Sequence, residues 1–212
     1  MRKQWLVIFL SFISLGLFAQ NQAFFSLKDL LTRKGDTIGA VRVEKRSKNQ
    51  IMMTSGGDYK LTSSDNYNTL NKQIRKRFYA VQMNDGKLYL NCRKLRFEKF
   101  RFGTYYAAAM EIGGKIYFCA SPVGAAATSI THAKNYNLGA LGKAIACSSL
   151  VSERVYYEIT PSSKIYFVGK DKMRLLLKNE PELLSQYLSA NSECAEIVGH
   201  YLEILKNKTS SR

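Results

Sequence analysis

The chain has 212 residues, 46% of them hydrophobic and only 3 of them Pro, which excludes a disordered or low-complexity protein and suits a compact domain. Its 32 Lys and Arg against 16 Asp and Glu give a formal net charge of +16, a field that draws anions and, more commonly, simply keeps a protein soluble. The four cysteines (Cys92, Cys119, Cys147, Cys194) contain no C-x-x-C pair, which argues against a thioredoxin-type centre and a zinc knuckle.

In chain order, Arg2 and Lys3 precede an almost wholly apolar run, Trp5 to Phe18, that ends at Ala19. A basic start, an apolar middle and a small residue at the end are the pattern of a secretory signal peptide over residues 1–19. The first cysteine is Cys92, so there is no lipid-anchor cysteine at the cut. The expectation is a mature chain starting near Gln20, periplasmic or secreted, that folds as one domain over 20–212. Without the leader the net charge is about +14, and it is uneven. Residues 20–110 hold 18 basic and 7 acidic groups, whereas residues 151–212 hold 9 and 8.

The first element reads as a short helix, capped by Ser26 with Asp29 three residues on, striped by Phe24, Leu27, Leu30 and Leu31, and stopped by Gly35. Strands follow at Ile38 to Glu44, Ile51 to Thr54 and Tyr59 to Leu61, the last two joined by the turn Ser55-Gly56-Gly57-Asp58. Residues Ser63 to Asn71 read as loop, and Lys72 to Arg77 as a basic helical turn or strand approach. A turn, then Lys, then hydrophobe-Tyr-hydrophobe recurs at Asp85 to Leu90, Gly113 to Phe118 and Ser162 to Phe167, each time after a strand-like run. These are three β-hairpins at unequal spacing, not a repeat architecture. Between the first two the apolar parity slips from Leu88, Leu90 and Cys92 to Leu95 and Phe97, then back at Phe100 and Phe102. The chain must bulge or turn near Arg93-Lys94 and near Glu98-Lys99, because a one-residue slip reverses the faces. That places Lys94, Arg96, Lys99 and Arg101 in a basic strip opposite the apolar residues.

Residues Ser121 to Ser149 are rich in Ala, Gly and Ser and read as a packed or excursive segment too interrupted to span a bilayer. The last forty residues are helical, about 171–206. Asp171 caps Lys172 to Lys178, Pro181 opens a second helix, and Cys194, Ile197, Val198, Tyr201, Leu202 and Leu205 line one face of a third. The fold expected is α+β: a twisted antiparallel sheet built from hairpins, with a short N-terminal helix and C-terminal helices packed on it.

The order Leu88-Tyr89-Leu90-Asn91-Cys92-Arg93-Lys94-Leu95, Gly113-Gly114-Lys115-Ile116-Tyr117-Phe118 and Leu138-Gly139-Ala140-Leu141-Gly142, followed by a Tyr-rich hairpin and a Leu-rich helical end, resembles a family of small secreted proteins from Bacteroidota. The resemblance implies a Gram-negative host and periplasmic or surface residence. It implies no activity. It also implies a modification: Asp36-Thr37-Ile38 is similar to the Asp-Ser/Thr-aliphatic signal for O-glycosylation in that phylum, which makes Thr37 a candidate glycan site.

Catalytic constellations are weak. Only His132 and His200 exist, without metal-ligand spacing, and no G-x-S-x-G or phosphate loop is present. No cofactor and no metal is expected. The leading expectation is an exported, non-enzymatic binding or structural module of the cell envelope. Its candidate surface is the basic set Arg75, Lys76, Arg77, Lys94, Arg96, Lys99 and Arg101. Its partner would be an anionic glycan, a lipid headgroup or an envelope protein, and no nucleic acid is expected outside the cytosol. The alternative is an envelope enzyme in which Cys119 or Cys147 is activated by His132.

Overall fold

The computed structural model describes residues 20–54, 56–65, 67–98, 100–121, 154–190, 192 and 194–210. Residues 1–19, which the sequence reading takes as a signal peptide, Lys99, and residues 122–153 with His132 and Cys147 lie outside the described residues.

The strands are β1 (Asn21–Phe24), β2 (Asp36–Ile38), β3 (Val41–Lys45), β4 (Tyr59–Ser63), β5 (Ala80–Gln82), β6 (Leu88–Asn91), β7 (Arg96–Phe97), β8 (Phe100–Arg101), β9 (Tyr106–Ile112), β10 (Lys115–Ala120), β11 (Val155–Ile159) and β12 (Ile165–Phe167). The helices are α1 (Leu27–Leu31), α2 (Lys48–Thr54), α3 (Asn68–Lys76), α4 (Lys170–Leu176), α5 (Pro181–Ala190) and α6 (Ala195–Ser210). Ten strands form one antiparallel sheet, in the order β12-β11-β10-β9-β6-β5-β1-β2 with β3 and β4 branching from it. β3 pairs β4, and β4 meets β9 where Tyr59 stands opposite Tyr106. The fold is α+β, with helices packed on a sheet of hairpins.

The three recurrent phrases form hairpins β5–β6, β9–β10 and β11–β12. At the second turn Gly113 and Gly114 have φ of +57 and +73, the left-handed pair that a two-residue hairpin turn requires. The parity slip is resolved as its logic demands. A 3-10 turn at Cys92–Lys94 separates β6 from β7, and Glu98 at φ +51 begins the reversal into β8. Leu95 and Phe102 are therefore buried while Arg96 and Arg101 face solvent.

Several local expectations are corrected. Phe24 ends β1 and is not in the helix, which Ser26 caps by accepting the Asp29 N–H at 3.1 Å. The stop is Arg33, at φ +56, and Gly35 instead packs against the Phe24 ring. The run 38–44 splits at Gly39-Ala40 because β2 pairs β1 whereas β3 pairs β4. Ile51 to Thr54 is the end of helix α2, and not a strand. Ser47 and Gln50 cap that helix reciprocally: the Ser47 Oγ accepts the Gln50 N–H, and the Gln50 Oε1 accepts the Ser47 N–H. The supposed loop 63–71 already contains the start of α3. Gly169, not Asp171, caps α4, and Cys194 precedes α6.

Both faces of the sheet are covered. On one, Leu88, Leu90, Ala107, Ile116, Phe118 and Tyr157 pack with α1, Leu95 and Phe102. On the other, Tyr89 and Tyr106 pack beneath α3, while Tyr117 packs beneath α4, α5 and α6. A polar tie crosses the helical side. Glu158, fully buried on β11, accepts the Tyr117 hydroxyl at 2.8 Å and pairs with Lys172 of α4 at 2.9 Å and Lys115 at 3.3 Å. Burial raises the Glu158 carboxyl, but the Lys172 and Tyr117 hydrogen bonds and the two lysine charges outweigh it, so its pKa lies below the ordinary value.

Two predictions follow from this packing. A Cβ on Gly57 would run into the Tyr106 carbonyl and the Ala107 nitrogen, both backbone atoms that have nowhere to move. Gly57→Ala is therefore expected to destabilise by about 1–3 kcal/mol or more, read as a lower midpoint in chemical denaturation. Because the Glu158 pKa is depressed on folding, its stabilisation is full above the unfolded carboxyl value and fades as pH falls through the folded one. Below about pH 4.5 the wild-type melting temperature should fall more steeply than that of Glu158→Gln, which is itself expected to be about 1–3 kcal/mol less stable at pH 7.

Candidate functional site

Helix α3 is amphipathic. Leu70 and Ile74 are buried, and Lys72, Arg75 and Lys76 face out. Its position is set by three side chains. The Asn71 Oδ1 accepts the Ser63 N–H at 2.8 Å, drawing the helix onto the end of β4. The Tyr106 hydroxyl donates to the Ile74 carbonyl at 2.6 Å. Asn91, 2% exposed, donates through Nδ2 to the Phe78 carbonyl at 2.9 Å and the Ile74 carbonyl at 3.3 Å, while its Oδ1 accepts the Arg93 N–H at 3.1 Å. The end of α3 and the 3-10 turn are thereby stitched to one amide.

The result is a cleft of about 610 Å³ between α3, β4 and the start of β9. Lys60, Lys72, Arg75 and Arg93 line it, with Asn68, Asn71, Thr62 and Thr104 between them and Tyr105 as an aromatic wall. All four cations are solvent-exposed, and among the described residues no carboxylate lines the cleft. Lys60 lies 3.9 Å from Glu44, at the limit of an ion pair. Four like charges held around one concavity attract an anion more strongly than the same charges spread over a convex surface.

Of the basic residues singled out in the sequence, Arg75 is the only described one that lines this cleft. Lys76 and Arg77 are exposed at the end of α3, where cations also complement the helix dipole. Lys94 is exposed on the 3-10 turn, and Arg96 and Arg101 are opposite partners on the β7–β8 ribbon. Lys99 lies outside the described residues. Thr37 is exposed on β2, the last strand at one end of the sheet. Sequence reading missed Lys60 and Arg93 because they come from elements other than α3, and it left out Lys72, which lies one turn before Arg75 on that helix. The one local clue was Asn91-Cys92-Arg93, where an Asn ends a strand and turns the chain.

A second cleft, about 780 Å³, lies between the glycine turn before β4 and α6. It carries both signs of charge, from Lys45, Arg46, Asp58, Arg154, Glu196 and Glu203, together with Cys119, Cys194 and His200. Arg154 pairs with Asp58 and donates from Nη1 to the Gly56 carbonyl at 2.7 Å. Burial raises the Asp58 carboxyl against the pull of Arg154. Burial also pushes the Cys119 thiol up to about 12, so it is a protonated thiol at neutral pH and a poor nucleophile. Cys92, buried in the 3-10 turn just after β6, is likewise pushed up to about 12. Cys92, Cys119 and Cys194 are free thiols, and β9 stands between β6, which Cys92 follows, and β10, which carries Cys119. Among the described residues, no group of three or more His, Cys, Asp or Glu could hold a metal ion, and no helix is long and apolar enough to cross a membrane.

No curated protein and no solved structure matches the chain. Residues 22–209 do match a family model, described as a family of unknown function (DUF6563), and since that match takes in every described strand and helix but for the ends of β1 and α6, the protein belongs to this family.

Proposed function

We propose that this protein is an exported, non-catalytic module that binds anionic groups of the bacterial cell envelope in the cleft between α3 and β4. The observation that carries the reading is the set of Lys60, Lys72, Arg75 and Arg93 around one concavity that, among the described residues, no carboxylate lines. Phosphate, sulfate or carboxylate groups on a glycan or a lipid headgroup have the chemistry to meet it. Export is supported by the basic and apolar pattern of residues 1–19, and residence in a Bacteroidota envelope by the resemblance set out above. In the same setting Thr37 is a proposed O-glycan site. An exposed hydroxyl on a strand at the end of the sheet is accessible to a transferase, and the intact mass of protein from its native host should exceed that of the bare polypeptide.

A second reading places the contact on the β7–β8 ribbon, where Arg96 and Arg101 stand side by side in solvent. The two surfaces are separable by charge reversal. The double variant Arg75→Glu/Arg93→Glu should leave a heparin column at clearly lower salt than wild type and lose at least tenfold in affinity, about 1.4 kcal/mol. Arg96→Glu/Arg101→Glu changes the net charge equally and should shift retention much less. Equal shifts would reduce the effect to net charge, and a larger shift for the ribbon variant would move the site there.

A further inference from the structure

The cationic cleft has a wall that a simple anion site does not need. Tyr105 stands just before β9 with φ of +72, a backbone region that L side chains with a bulky ring rarely adopt. Its carbonyl is fixed by the Cys92 N–H at 2.9 Å. Its ring is fixed by Arg46, whose guanidinium carbon lies 3.7 Å from the ring centre. Arg46 is itself only 6% exposed and is held by the Gly57 carbonyl at 2.6 Å, the Gln50 carbonyl at 2.7 Å and the Thr54 hydroxyl. The ring is therefore clamped in an unusual backbone position and lines the same cleft as the four cations.

Inorganic phosphate or a lipid headgroup would need only the charges. A pyranose ring carrying acid groups needs both features: an aromatic surface for its apolar C–H face, and cations for its carboxylate or sulfate. The side chains of Asn68 and Thr104, in the same lining, are of the type that meets sugar hydroxyls. Resting on the anion-binding reading above, we propose that the ligand is an acidic glycan bearing uronate or sulfate groups, and that Tyr105 is the stacking residue that selects it over other anions.

The test compares two probes by calorimetry, a chondroitin sulfate hexasaccharide and inorganic tripolyphosphate, on the full mature chain. Asn is the best replacement for Tyr105 because it tolerates a positive φ. Tyr105→Asn should lose at least tenfold in affinity for the hexasaccharide and less than twofold for tripolyphosphate, whereas Tyr105→Phe should keep both. Equal losses for the two probes, or none, would overturn the stacking role, as would a wild type that binds tripolyphosphate as tightly as the hexasaccharide. If Tyr105→Asn does not fold, saturation-transfer NMR on the wild type decides. Saturating the aromatic protons should transfer to the C–H protons of one sugar ring, and absence of transfer would sink the proposal. Arg75→Glu/Arg93→Glu keeps the two levels apart. If it still binds both probes, the anion site itself is wrong. If it loses both while the tyrosine variants show no discrimination, only the glycan inference fails.

Discussion

Two adjacent glycines carry the branch in this sheet. β10 pairs one edge of β9 from Ala109 to Ile112, and β4 reaches the strand farther back at Tyr106. Between them, Gly56 and Gly57 press against the backbone of Phe102, Thr104 and Tyr106 so closely that no side chain fits at either position. Each glycine carbonyl is then taken by a guanidinium: Gly56 by Arg154 and Gly57 by Arg46. A backbone that approaches this closely must satisfy its polar groups from the flanks, and the two arginines do so. The contact is between main chains, so it leaves little latitude for sliding β4 along β9.

The cationic cleft follows from that contact. With β4 anchored, Asn71 and Asn91 draw α3 down onto it, and the basic face of the helix turns toward Lys60 and Arg93. Arg46 links the two regions physically, holding the glycine turn with its Nη1 and bracing the Tyr105 ring with its plane. One buried arginine therefore serves both the branch and the wall of the candidate site. The second cleft, on the other side of that turn, is closer to balanced in charge and holds a protonated Cys119 thiol. Its contents suit the packing of α6 better than chemistry on a substrate.

The C-terminal helices rest on a different kind of tie. Their apolar faces would seat on Tyr117 and Tyr156 in any case. Glu158 adds a fixed point, because a fully buried carboxylate must keep its lysines and its tyrosine hydroxyl close. Residues 151–212 are nearly neutral overall, so the excess positive charge belongs to the earlier part of the chain, which supplies both α3 and the β7–β8 ribbon.

Local chemistry in the sequence determined much of the architecture. The Gly113-Gly114 turn, the parity slip after Cys92, the capping serine at position 26, Pro181 at the start of α5 and the apolar stripe of α6 each act within a few residues, and each produced the element it implied. Where a short apolar run was the only signal, reading failed. Ile51 to Thr54 looks like a strand until the Ser47–Gln50 capping pair and the acceptors around Arg46 are in place, and these make it a helix. The site was less legible still. Arg75 was visible as a basic residue and Lys72 lies on the same helix, but their companions Lys60 and Arg93 and the clamped Tyr105 come from separate elements. Charge clusters along a sequence tell only that cations are numerous. Which of them share a concavity was decided by β4 docking on β9 and by the bonds of Asn71 to β4 and of Asn91 to the end of α3, contacts between elements that no local pattern encodes.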